Sequence, residues 1–213
     1  AAEQDLDIAI GHFAELLASN LHAQRAAHFP PDAKKVMRSL SSGEAAELLG
    51  VDHTYLRKLH REGTISDVET TAGSHRRYTL DDIWEIRHSL EANAKKPGTY
   101  VPGRRSGDEL QVVSVVNFKG GSGKTTTSAH LAQRLAFKGY RVLAIDLDPQ
   151  ASMSALHGIQ PELDLMEGGT LYDAVRYDDP VPISEVIRKT YIRGLDLIPG
   201  NLELMEFEHE TPA

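Results

Sequence analysis

Val112-Val113-Ser114-Val115-Val116-Asn117-Phe118-Lys119-Gly120-Gly121-Ser122-Gly123-Lys124-Thr125-Thr126 decides how this chain is read. The β-branched run predicts a strand over 112–117, the glycines a turn, and Lys124-Thr125 the start of a helix. That order makes a phosphate cradle. Glycine backbone turns N–H groups inward, and the helix aims the positive end of its dipole at the anion. In such a loop Lys124 reaches the terminal phosphates and the Thr125 hydroxyl ligates Mg²⁺. The general pattern has a glycine where this chain carries Phe118, and a second lysine, Lys119, stands beside it.

Beyond the loop the pattern is β-α-β. A helix is predicted over 124–138, with Leu131, Leu135 and Phe137 among its apolar residues and Gly139 ending it. Arg141-Val142-Leu143-Ala144-Ile145-Asp146 then reads as a second strand. Near-continuous apolar strands alternating with a helix indicate an α/β fold whose parallel sheet is covered on both faces. Asp146-Leu147-Asp148-Pro149-Gln150 follows at the carboxyl end of that strand, where such folds bind ligands. Two carboxylates there can hold the water shell of a bound Mg²⁺ and orient an attacking water. An Asp-Pro pair that merely ends a strand is the plainer alternative.

Bulk properties narrow the field. At 213 residues there is room for one large domain or two small ones. A net charge of −8 means that any nucleic-acid contact must come from a local patch. The absence of cysteine removes disulfides, thiolate zinc sites and cysteine catalysis, and suits a reducing cytosol. No apolar run approaches the roughly 18 residues of a membrane span. The first residues are acidic and unlike the basic start of an export signal. The 10 histidines include no His-x-x-x-His pair, which argues against zinc.

Residues 95–107 hold two prolines, three glycines and four basic residues, and read as a linker. Ahead of it the signals are helical. Leu6, Ile10, Phe13, Leu17 and Leu21 place an apolar stripe on one helix face, suited either to packing or to a dimer seam. Ser41 with Glu44 forms a capping box, and the helix it opens runs to Gly50. Asp52 caps a second helix to Arg61, so two short helices meet at Gly50-Val51, the helix-turn-helix pattern. The second helix offers His53, Thr54, Tyr55, Arg57, Lys58 and Arg61, with Leu56 and Leu59 turned inward. Residues 63–78 read as a hairpin with Gly73 at its tip and Arg76-Arg77 on the returning arm. From Leu80 a helix with Asp81 and Asp82 in its first turn supplies Ile83, Trp84, Ile86 and Leu90 to the core. Tyr78 and Trp84 are expected to be packing residues of this front module.

Lys-Gly-Gly-Ser-Gly-Lys-Thr-Thr followed by Ile-Asp-Leu-Asp-Pro-Gln resembles the deviant Walker A ATPases, in their ParA partition branch. The resemblance runs through most of residues 112–205 and implies a P-loop NTPase fold with ATP and Mg²⁺ as cofactors. It implies that Lys119 reaches across a dimer interface to the partner's nucleotide and that Lys124 contacts the β- and γ-phosphates. Gly120, Gly121, Ser122, Gly123 and Thr126 would hold the inner phosphates. Thr125 would bind the metal with Asp146 nearby, and Asp148 would position the hydrolytic water. Gly194-Leu195-Asp196-Leu197-Ile198-Pro199-Gly200-Asn201 is similar to the family's strand and loop ahead of its Walker B segment.

The front half resembles a MerR-type winged helix-turn-helix, whose second helix enters the major groove while wing arginines hold phosphates. From Arg57 to Arg77 there are five basic and three acidic residues, a mildly positive patch. A helical hairpin that binds protein is the alternative. Together the parts resemble the large, plasmid-type partition ATPases, including the RepA branch of RepABC systems. That implies a homodimer seamed by the N-terminal helix, a ParB-like centromere-binding partner, operator and non-specific DNA as ligands, and autorepression in a bacterial cytoplasm. No membrane role is expected.

The family's Walker B strand and adenine-contacting segment have no counterpart before Ala213. Unpaired sheet edges, weak nucleotide binding and little hydrolysis are therefore expected of residues 1–213. The competing reading is a DNA-binding repressor with an inactive ATPase remnant.

Overall fold

The computed structural model describes residues 12–14, 16, 17, 19–21, 23, 24, 27, 35–165 and 168–210. The chain divides into two compact units, Ala1–Lys34 and Lys35–Ala213. In the first, the described residues between His12 and Ala27 are helical, as the apolar spacing predicts. Phe13, Leu16, Leu17 and Leu21 are exposed on it, while Leu6 and Ile10 of the stripe lie outside the described residues.

The second unit begins with β1, Leu40–Ser41, and α1, Ser42–Leu49. The capping box forms as expected: Glu44 N–H donates to Ser41 Oγ, and the Glu44 carboxylate accepts from Ser41 N at 2.8 Å. Gly50 closes α1 in the left-handed conformation, φ 70°, which glycine adopts without a Cβ penalty. Asp52 then caps α2, His53–Arg61, accepting from Thr54 N at 2.7 Å. Leu56 and Leu59 point inward and are nearly fully buried.

The hairpin turns at residues 71–74, with Thr70 bridged to Arg76, and its returning arm gives β2, Arg77–Tyr78, antiparallel to β1. A second capping box, Thr79 with Asp82, opens α3, Leu80–Ala92. Ile83, Ile86 and Leu90 join Leu40, Leu49, Leu56 and Tyr78 in one core. Trp84 departs from expectation. It is absent from that core and lies against Gly194, which belongs to the far half of the chain.

Residues 95–107 form no helix or strand, as a linker should, yet they are held. Glu91 accepts from the backbone N–H of Gly98, Tyr100 and Val101, the last two at 2.8 and 3.0 Å.

The second half of this unit holds α4, Lys124–Phe137, and a three-stranded mixed sheet. Its strands are β3, Val142–Ile145; β4, Arg188–Lys189; and β5, Leu195–Ile198, in the order β3-β5-β4. The pairing of β3 with β5 is parallel, but β4 adds an antiparallel edge and Leu143 and Ile145 stay exposed, so the sheet is mixed where a parallel one covered on both faces is expected. Short helices follow β3: α5, Ser152–Leu156; α6, Pro161–Asp164; α7, Leu171–Val175; and α8, Leu204–Glu210, after β5.

A further expectation fails here. The predicted strand over 112–117 does not form, and Val112, Val113 and Val116 are exposed. An apolar strand of a parallel sheet is stable only when neighbouring strands take its N–H and C=O groups and layers cover its faces. Among the described residues nothing pairs with the outer edge of β3 or with this run. On α4, Ala129, Ala132 and Ala136 are buried, whereas Leu131 is exposed. Small side chains let the helix lie close to the sheet, and Leu195 and Leu197 fill the space from the other side.

The β1–α1 corner makes acid stability testable. The Arg38 guanidinium, then the Ser41 amide, hold the Glu44 carboxyl down from 4.5 to about 2. A depressed carboxylate supplies stability that is full above the unfolded value and lost as pH falls through the folded one. The thermal midpoint should therefore drop between pH 4.5 and 2 more steeply in wild type than in Glu44→Gln. Circular-dichroism melts that run parallel for the two proteins across that window would contradict this.

Candidate functional site

Gly123 precedes α4 with φ 84°, and Gly121 turns the loop with φ 70°. These angles explain glycine at both positions, since a Cβ at Gly121 would meet nothing within 4 Å. No side chain caps the N-terminus of α4, unlike α1, α2 and α3. Its first N–H groups therefore remain open to an anion.

The two lysines lie on this loop. Lys119 is exposed, its N–H donating to Asn117 Oδ1 at 2.8 Å. Lys124 is half-buried, with Nζ turned toward Lys119 O at 3.5 Å. Thr125 is half-buried and Thr126 exposed, and Gly120 and Ser122 lie on the outer surface of the loop. Uncapped amides, two left-handed glycines, an ammonium and a helix-start hydroxyl are the donor set that a phosphate with Mg²⁺ requires.

The fold brings this loop and the aspartates to one edge. From α4 the chain turns through Gly139 directly into β3, and the two pack side by side. The start of the helix and the end of the strand therefore point the same way. Asp146 and Asp148 follow β3 at that end.

The pair is not equivalent. Asp146 is 4% exposed, and its Oδ2 accepts from Ser154 N at 2.9 Å and Ser154 Oγ at 2.7 Å. Its Oδ1 accepts from Asp148 N at 3.3 Å. Asp148 is half-buried, accepts only from Gln150 N among the described residues, and keeps the freer carboxylate. Ser154 was not singled out from sequence. It is fully buried, and besides binding Asp146 it accepts from Gly200 N at 3.2 Å. Gly200 closes the edge: a Cβ there would lie 2.8 Å from Asp146 O and 2.9 Å from Asp148 O.

The second set of predicted residues lies on the front module. Thr54, Tyr55, Arg57, Lys58 and Arg61 are exposed on α2, and His53, Arg76 and Arg77 are half-buried. Lys58 pairs loosely with Glu62 at 3.8 Å. Among the described residues no group of His and carboxylates is arranged to hold a metal, and no helix is long and apolar enough to cross a membrane.

Comparison with known proteins places the site in context. The AAA domain family matches residues 110–212. A protein described as "Putative replication protein A" from Rhizobium rhizogenes is 54% identical over 200 residues, 93% of this chain and 50% of that protein. Protein SopA of Escherichia coli K12 is 34% identical over 187 residues, 84% of this chain and 45% of SopA. Chromosome partitioning protein ParA of Caulobacter vibrioides is 42% identical over 105 residues, 49% of this chain and 38% of that protein. The chain spans about half the length or less of these relatives.

Gly200 and Ser154 give a stability test of the aspartate edge. Gly200→Ala pushes a methyl group onto two backbone carbonyls that cannot give, which should cost about 1–3 kcal/mol. Ser154→Ala strips a buried carboxylate of its hydroxyl donor, also about 1–3 kcal/mol. Urea unfolding measures both, and wild-type midpoints for both variants would show that the edge does not depend on this network.

Proposed function

Because the chain belongs to the ParA-type partition ATPase family, we propose that it takes Mg–ATP on the Lys119–Thr126 loop and DNA on the α2 face. One observation carries the nucleotide reading. A helix of 14 residues stands with its N-terminus uncapped behind a two-lysine glycine loop, at the edge where two aspartates emerge.

In this reading the amides of Gly120 to Thr126 and the Lys124 ammonium bind phosphate oxygens, and Thr125 holds Mg²⁺ with Asp146 close by. The metal supplies charge neutralisation on the phosphates. Asp148, with its freer carboxylate, orients the water. Lys119 extends to the nucleotide of a second copy, so hydrolysis depends on dimerisation, as with an arginine finger. The helical N-terminal segment, with its exposed leucines, is the dimer seam.

The DNA reading rests on α2. Its inner side is Leu56 and Leu59, which leaves Thr54, Arg57, Lys58 and Arg61 together on the outer side. Arg76 and Arg77 stand on the returning arm of the hairpin, paired with Thr70 and with β1, and in this reading they serve as the wing that holds phosphates. The biological role proposed is plasmid partition with a ParB-like partner, combined with repression of its own operon. A second reading, a DNA-binding repressor with a silent phosphate site, is favoured by the exposed run at 112–117, which leaves the loop unanchored at its start.

Titration of Mg–ATP into the chain separates these readings. Lys124→Ala is expected to weaken binding by about tenfold or more, since it removes a charge-assisted phosphate contact. Lys119→Ala should leave the affinity of a single copy within about twofold, because its charge acts across the dimer. Equal binding by wild type and Lys124→Ala would dismiss the loop as a phosphate site. DNA binding is followed in parallel with ATP, ADP or neither. Arg57→Ala should lower affinity on every sequence and reduce the salt slope by about one. Unchanged DNA affinity in Arg57→Ala and in Arg76→Ala would reject the DNA reading.

A further inference from the structure

We propose that Arg87 joins the front module and the phosphate-loop helix into one rigid body, by holding backbone carbonyls from α1, the 95–107 connector and α4 at once. The side chain is 4% exposed, and no carboxylate pairs with it among the described residues. Nη1 donates to Tyr100 O at 3.0 Å, and Nη2 donates to Phe137 O at 2.7 Å and to Leu48 O. Leu48 lies in the last turn of α1, and Phe137 ends α4. The last carbonyls of a helix have no N–H partner of their own, and a cation there also meets the negative end of the dipole. A planar fork of five donors reaches two such carbonyls and that of Tyr100 together, which an ammonium on a flexible stem does less well.

The surroundings leave little play. A Cβ at Gly139 would lie 3.0 Å from Tyr100 O, 3.1 Å from Arg87 Cδ and 3.2 Å from Pro102 Cδ. A Cβ at Gly194 would lie 2.8 Å from the Trp84 ring, so backbone at both sites runs in direct contact with the front module and connector. Arg193 lies over the Trp84 ring at 5.8 Å and pairs with Asp81 at 3.5 Å. Leu80 packs against the cores of both halves. Glu91, one turn beyond Arg87 on the same face of α3, also pins the connector through its bonds to Gly98, Tyr100 and Val101. Burial pushes the guanidinium pKa down, yet arginine starts so high that it keeps its charge.

The connector that reads as a tether is therefore a strap. When the α2 face meets a duplex, α4 and the loop at its far end are carried in a fixed orientation. The junction grips α4 at its C-terminus, about 20 Å along the helix from the phosphate loop at a rise of 1.5 Å per residue.

The test uses the chain as it stands, with Arg87→Met, which keeps an unbranched stem and loses every donor, and Trp84→Ala, which opens the same junction from outside either core. Wild type should melt in one calorimetric transition. In both variants the melt should split in two, and the amides of 98–101, 103 and 138–140 should exchange about tenfold faster or more. Amides of α2 and of β3–β5 should keep wild-type protection. Two independent transitions in wild type would overturn the proposal. So would single transitions with wild-type exchange in both variants. Loss of protection throughout Arg87→Met, with Trp84→Ala unchanged, would show that Arg87 serves one module's own fold, and that also overturns it. If Arg87→Met does not fold, Trp84→Ala decides by the same criteria.

Discussion

In-register parallel pairing of Val142–Ile145 with Leu195–Ile198 is the constraint from which the nucleotide-side architecture follows. Parallel neighbours end side by side, so whatever follows one strand meets whatever follows the other. Asp146 N donates to Ile198 O at 3.0 Å and extends the ladder by one rung. Gly200 then passes against the carbonyls of Asp146 and Asp148, and Ser154 fills the angle between the strand ends. A slip of one residue would turn Leu195 and Leu197 away from the alanines of α4. Placement of the aspartates and burial of the helix are thus one fact of register.

The same pairing shows why β3 and β5 differ. Leu195, Leu197 and Ile198 are buried, because β5 has a strand on each side and helices around it. On β3, Leu143 and Ile145 stay about half exposed, since its outer edge is unpaired among the described residues. The apolar run at 112–117 carries the same signature of a strand without neighbours. Its β-branched composition states a preference that only a partner can satisfy.

Local chemistry was legible and remote packing was not. Both capping interactions read from the sequence, at Ser41 and Asp52, depend on a side chain and an amide within three residues, and both form. The glycine loop was legible because its requirement is a backbone angle at Gly121 and Gly123. The inward face of α4 is not legible from hydrophobicity, which marks Leu131, because close approach to a sheet favours alanine. Ser154 and Arg87 left no signal, as each matters through partners 8 to 50 residues away in the chain. Trp84 packs against Gly194 and Arg193 rather than in the front core, since helical spacing does not say which of two neighbours a face will meet.

The helix that begins at Lys124 unites these strands of argument. Its carbonyl end is filled by the Arg87 guanidinium, while its amide end has no cap at all. A helix interior gains nothing from leaving four N–H groups open, and α1, α2 and α3 each carry a side-chain cap. The asymmetry therefore has a physical reading. A cation fixed at the negative end anchors the helix and offsets its dipole there, leaving the positive end as the complement of an anion brought from outside. Lys124 adds charge at that end, and at the neighbouring strand terminus Asp146 is held by Ser154 and the Asp148 amide. Rigidity at one end of α4 and openness at the other are what a helix needs if it is to receive phosphate without moving.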